Sequence, residues 1–79
     1  MNNTEIFIYS KFEGKGKESN KPFCVIDYLY LDNYNNLRSC NKFLNTDLAK
    51  KVQKNGFYKP LFNASGSMSD LTFVREVIL

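Results

Sequence analysis

Residues 43–56, FLNTDLAKKVQKNG, decide the architecture, because they carry the one helical pattern in a chain whose other apolar residues recur at strand spacing. Asn45 or Thr46 is placed to cap a helix, and Asp47 suits the positive N-terminal end of its dipole. Leu48 and Val52 repeat at i and i+4, Lys54 suits the C-terminal end, and Gly56 closes the segment. The reading is a helix of about two turns with one narrow apolar stripe.

Working outward, residues 4–13 read as a strand in which Ile6, Ile8 and Phe12 alternate with Glu5, Tyr9, Lys11 and Glu13, with Phe7 an extra apolar residue on the second face. Residues 14–21 break that pattern with Gly, Ser, Asn and charge, and Pro22 sets the entry into PFCVIDYLYLD, the strongest strand pattern in the chain. There Phe23, Val25, Leu29 and Leu31 lie on one side and Cys24, Ile26, Tyr28 and Tyr30 on the other, so both faces are apolar and the strand belongs inside a sheet. NYNN, residues 33–36, suits a hairpin, and a third strand follows over residues 37–44. Beyond the helix, FYKPLFNA reads as a strand that Pro60 restricts to an edge or a bulge, SGSMS as a loop, and DLTFVREVIL as a last strand.

The resulting order has three strands, a short helix and two more strands, with no repeat, linker or second domain, so residues 1–79 form one domain. A mainly β, five-stranded OB-like Greek-key barrel with its helix between strands 3 and 4 has this order. An SH3-like barrel or a plain α+β sheet with a helix across it fits the same string. The helix position and the two-faced second strand favour the OB reading.

At 79 residues the core is thin, but 43% apolar and 15% aromatic content is too hydrophobic for a disordered chain. Eleven Lys and Arg against eight Asp and Glu leave +3, which permits a polyanion partner and equally fits a solvated surface. Cys24 and Cys40 lie in strand-like runs with no secretory or membrane-spanning apolar segment, which predicts a cytoplasmic, non-membrane protein with reduced thiols. With no His and two Cys, a zinc site of the usual kind is excluded and no cofactor is expected. The carboxylates follow no repeating spacing, a Cys without His lacks its usual base, and NASGSMS lacks the lysine and helix start of a phosphate loop. The reading is a non-enzyme. Asp27, on the apolar side of strand 2, could pair with Arg38 or Arg75, sit at a bulge, or mark an unburied face. Abundant Asn, Lys, Ile, Phe and Tyr match A/T-rich codons, a hint of a phage or mobile element.

GKGKESNKPFCVIDYLYL and FLNTDLAKKVQKNG together resemble, in pattern and length, the small phage- and plasmid-type single-stranded-DNA-binding proteins of the OB-fold class, similar to those of filamentous phages. The chain departs from bacterial single-stranded-DNA-binding proteins in ending on VREVIL with no acidic tail. The resemblance implies a non-enzymatic protein that binds single-stranded nucleic acid, DNA first, without strong base preference and as a homodimer. Such binding needs cations for phosphates and aromatic faces for bases, each stacked base being worth about 1 to 3 kcal/mol. The candidates on that surface are Lys15, Lys17 and Lys21 in the first loop, with Tyr28, Tyr30, Tyr34, Arg38 and Lys42 on or near the sheet, flanked by the loop at residues 63–69.

Each candidate has a plainer reading: Tyr28 and Tyr30 share a face with Ile26 and Cys24 and fit a core, and the loop lysines are diluted by Glu13 and Glu18. Residues 38–59 hold six basic residues against the single acid Asp47, although Lys50, Lys51 and Lys54 also fit the polar face of the helix. The alternative function is a protein-binding module or inhibitor from a mobile element that targets a host protein, since Tyr, Phe and Arg also anchor protein interfaces.

Overall fold

The computed structural model describes residues 3–77. The chain runs β1 (Ile6–Lys15), β2 (Pro22–Leu31), β3 (Leu37–Leu44), α1 (Thr46–Lys51), β4 (Gly56–Phe62) and β5 (Met68–Glu76), the element order read from the sequence. The five strands form one open antiparallel sheet in the order β3-β2-β1-β4-β5. Strand β1 extends to Lys15, so Gly14 and Lys15 belong to the strand and the first loop is residues 16–21. Residues 78 and 79 of the expected last strand lie outside the described residues.

The apolar sets of β1 and β2 are out of phase. The hairpin pairs Lys15 with Pro22, Glu13 with Cys24 and Lys11 with Ile26; continued unbroken it would set Ile8 opposite Leu29 and Ile6 opposite Leu31, on the face away from Cys24 and Ile26. A bulge at Tyr9 removes the conflict: beyond it Ile8 pairs with Tyr28 and Ile6 with Tyr30, so both isoleucines reach the inner face. The same one-residue slip turns Lys11 inward and Phe12 outward. The expectation that Phe12 shares a core face with Ile6 and Ile8 is therefore corrected, and Phe12 is 61% exposed.

An ammonium turned toward a core needs partners, and Lys11 finds them at the end of the helix. Its Nζ donates to the carbonyl oxygens of Ala49 at 2.7 Å and Val52 at 3.0 Å and pairs with Glu13 at 2.9 Å. At six residues α1 is too short to persist alone. The Asn45 side chain accepts from the Leu48 N–H at 2.8 Å, Leu48, Ala49 and Val52 enter the core, and Lys11 satisfies carbonyls the last turn leaves open.

The expected closing role of Gly56 is also corrected. The helix stops at Lys51, Asn55 takes the left-handed turn position with φ 65°, and Gly56 starts β4. Glycine is required there because the Tyr58 ring lies over it: an added Cβ would come within 2.7 Å of a ring carbon. Asn20 and Asn35 hold the other two left-handed non-glycine positions of the described residues, both in hairpin turns. Pro60 is tolerated because β1 pairs with β4 only at Gly56, Phe57 and Tyr58, so the proline lies past the end of that ladder.

The core draws on every element, with Ile8, Ile26 and Tyr58 fully buried and Leu48, Met68 and Leu71 closing it. The β4–β5 half and the β2–β3 half therefore curl over one interior, and α1 packs against β2, β3 and β5. Cys24 and Cys40 are both free thiols; they face inward from β2 and β3, opposite Leu44 and Tyr28, four register positions apart. Burial pushes the Cys24 thiol up from its ordinary value. Among the described residues no helix is long and apolar enough to cross a membrane.

Candidate functional site

The sheet has an inner face, which makes the core, and an outer face, on which, over β1, β2 and β3, no other element of the described residues packs. Cross-strand register puts Phe12, Val25 and Phe43 in one outward row across the three strands, with Phe23 beside them opposite Gly14. The rings of Phe12 and Phe23 lie 5.9 Å apart and those of Phe23 and Phe43 6.3 Å apart, tilted or edge-on. Phe12 is 61% exposed and Phe43 74%. A continuous apolar row this open, at the strand ends nearest the first loop, has no folding role that its burial would explain.

A second aromatic group on the outer surface makes the contrast clear. Phe7 and Phe57 pair across β1 and β4 at 4.9 Å, but the Arg75 guanidinium covers Phe57 at 4.1 Å and reaches the buried Glu5 carboxylate at 3.4 Å. That cluster is closed by its own cation.

The lysines of the first loop adjoin the open row. Lys15 ends β1 opposite Pro22, at the register position that continues the side of Lys11 and Glu13, Lys21 precedes Pro22 and Phe23, and the loop between them is closed by the Gly16 N–H to Lys21 carbonyl bond at 2.9 Å. Lys15, Lys17 and Lys21 are exposed and take part in none of the ion pairs among the described residues. On the inner side, where the helix meets the ends of β1 and β2, a cleft of about 390 Å³ is lined by Lys50, Thr46, Lys11 and Glu13.

The remaining sequence candidates go elsewhere. Tyr28 is a core residue, 4% exposed; burial and then a hydrogen bond with Cys40 push its phenol up, and its ring is not open to stack on a base. Tyr30 is half-buried on the same inner face, 6.0 Å from Tyr28. Lys42 faces inward opposite Ile26 and donates to the Gly66 carbonyl oxygen at 3.3 Å. Arg38 is held by Asp32 at 3.0 Å, and Tyr34 is 85% exposed on the β2–β3 turn. That turn lies six register positions from Phe43 and Val25 at its nearest strand pair, Leu31 and Leu37, or roughly 20 Å along the strand. The structure thus gathers Lys15, Lys17 and Lys21 at one end and leaves Tyr34 and Arg38 at the other.

Phe12, Phe23 and Phe43 were not among the sequence candidates. The signal for them was the phase mismatch between the apolar positions of β1 and β2, which requires a bulge and reverses the facing of Phe12. Asp27 lies outward beside that bulge, between Ser10 and Asn41, while Arg38 and Arg75 pair with Asp32 and Glu5 instead.

No protein-family model matches this chain, no curated protein matches it, and no solved structure matches its fold.

Proposed function

We propose that this protein binds single-stranded nucleic acid, DNA first, on the outer face of β1–β3, with Phe12, Phe23 and Phe43 as stacking platforms and the exposed Lys15, Lys17 and Lys21 at the adjoining strand ends as phosphate contacts. The observation that carries the reading is the exposed phenylalanine row beside lysines that, among the described residues, form no ion pair. Bases of any identity have a π face, so this arrangement suits binding without strong base preference. The fold supports the same reading: β1 is shared by two half-sheets, β3 and β5 are the free edges, and the helix lies between β3 and β4, as in a partly open OB-type barrel. In that architecture the β2–β3 face and the first loop are the ligand surface.

Fluorescence anisotropy of a labelled single-stranded oligonucleotide tests it. Binding at about micromolar affinity or tighter is expected at low salt, falling steeply as salt rises. Each lysine-to-glutamine change at Lys15, Lys17 or Lys21 should flatten the logarithmic salt slope by about 0.7. Absence of binding at low salt sinks the proposal. Capture of a discrete acidic protein by the same phenylalanine face, with no oligonucleotide affinity, would replace it with the protein-docking reading.

A further inference from the structure

The inner face holds a second site, independent of the nucleic-acid reading and on the opposite side of the sheet. Where the β2–β3 half approaches β4, the curled sheet leaves a pocket of about 330 Å³. That is the lower end of the range for small-molecule sites, enough for one or two rings. Tyr28, Tyr30 and Phe62 line it together with the apolar Ile6, Leu31 and Pro60 and with Cys40. Phe62 is half exposed and Tyr28 is buried, so an aromatic ring is offered both at the open side and at depth.

Two charged groups line this space, Glu5 and Lys42. The Glu5 carboxylate is buried and has Arg75 as its counter-charge. Lys42 has no carboxylate partner among the described residues; it stands on the inner face opposite Ile26, and its ammonium bonds to one backbone carbonyl at 3.3 Å. An ammonium has three donors, so this one, bonded to Gly66 at the exposed rim of the pocket, keeps two for an anion seated at the mouth. We infer that the pocket binds a small aromatic carboxylate, its ring between Tyr30 and Phe62 above a floor that includes Tyr28, and its carboxylate on Lys42.

The test is an NMR titration of the full chain with 2-naphthoate and with its neutral isostere, 2-naphthamide. Naphthoate should give saturable shifts at Tyr28, Tyr30, Cys40 and Phe62 and bind about tenfold or more tightly than the amide, the worth of a charge-assisted hydrogen bond. Lys42→Gln should remove that preference while leaving amide binding unchanged, and Lys42→Arg should restore it. Thermal melts of both variants establish that they fold. No saturable shift, or equal affinity for acid and amide in the parent protein, overturns the assignment. So does an unchanged preference in Lys42→Gln, which would leave Lys42 as a charge that guards the free β3 edge. Tighter binding of a short peptide ending in phenylalanine than of naphthoate would transfer the site to peptide C-termini and overturn the small-molecule assignment.

Discussion

The two faces of β2 present the same kinds of residue under opposite conditions. Inward, Cys24, Ile26 and Tyr28 are buried in the common core; outward, the half-buried Phe23 and Val25 lie in a row with the exposed Phe12 and Phe43 that no other element of the described residues covers. Hydrophobicity alone does not separate them, since phenylalanine outside is as apolar as isoleucine inside. What separates them is which face the rest of the chain curls over, and the bulge at Tyr9 sets that by aligning Ile6 and Ile8 with the inner set. An inner aromatic such as Tyr28 is therefore committed to the fold, and the outer ones are available for binding.

Substitution should show the difference most strongly at the centre of the inner face. Tyr58 is fully buried and its hydroxyl accepts from the Gln53 N–H at 2.8 Å, so Tyr58→Ala should cost about 3 to 5 kcal/mol in urea unfolding. For a domain of this size that approaches the whole stability. Phe43→Ala, of comparable volume but outward, should stay within about 0.5 kcal/mol. Equal losses at the two positions would mean that the outer row is covered in solution.

Lys11 is the next test, because it is the polar residue that the bulge delivers to the inner side. Lys11→Met keeps the aliphatic stem and removes the donors to Ala49 and Val52, and should cost about 1.5 to 3 kcal/mol by thermal or urea unfolding. Hydrogen exchange should quicken first in residues 46–52. A loss spread evenly over the sheet would show that the lysine supports the hairpin instead of the helix.

On the outer face the large effect is expected in binding. Phe12→Ala and Phe43→Ala should each weaken single-stranded oligonucleotide binding by about 1 to 3 kcal/mol in anisotropy titrations, with melting nearly unchanged. Weakened binding by Tyr28→Phe, which keeps the buried ring, would locate the ligand on the wrong face in the present proposal.

Much of the fold was legible because its signals are local. The two-faced apolar run of β2, the Asn45 cap with Asp47 behind it, and the asparagine-rich 33–36 turn each depend on a few neighbouring residues. The site was less legible because facing is relational. Whether Phe12 points in or out depends on register with a strand ten or more residues away, and one inserted residue reverses it. Gly56 shows the same limit: its local pattern reads as a helix stop, while its cause is the ring of Tyr58 packed over it from the next strand position on the same face.

The smallest effect is expected at the β2–β3 turn, which belongs to neither face. The Asp32 carboxylate accepts from the Asn36 N–H at 2.9 Å and the Tyr34 N–H at 2.8 Å and pairs with Arg38 at 3.0 Å. The Asn36 N–H leads, with Arg38 and the Tyr34 N–H behind it, in holding this carboxyl below the usual carboxylate range. A group whose pKa is lower folded than unfolded contributes stability that is complete above its unfolded value, near pH 4, and is lost as pH falls through the folded value. Asp32→Asn keeps an acceptor oxygen but removes the charge. Its deficit relative to the parent should therefore be present at about pH 6 and shrink toward about pH 2.5 in urea unfolding, whereas a deficit constant with pH would assign the effect to turn geometry alone. Because the turn stands at the far end of the strands from Phe12, Phe23 and Phe43, the same variant should leave oligonucleotide binding unchanged; a matching loss would extend the binding face along β2 to Tyr34 and Arg38.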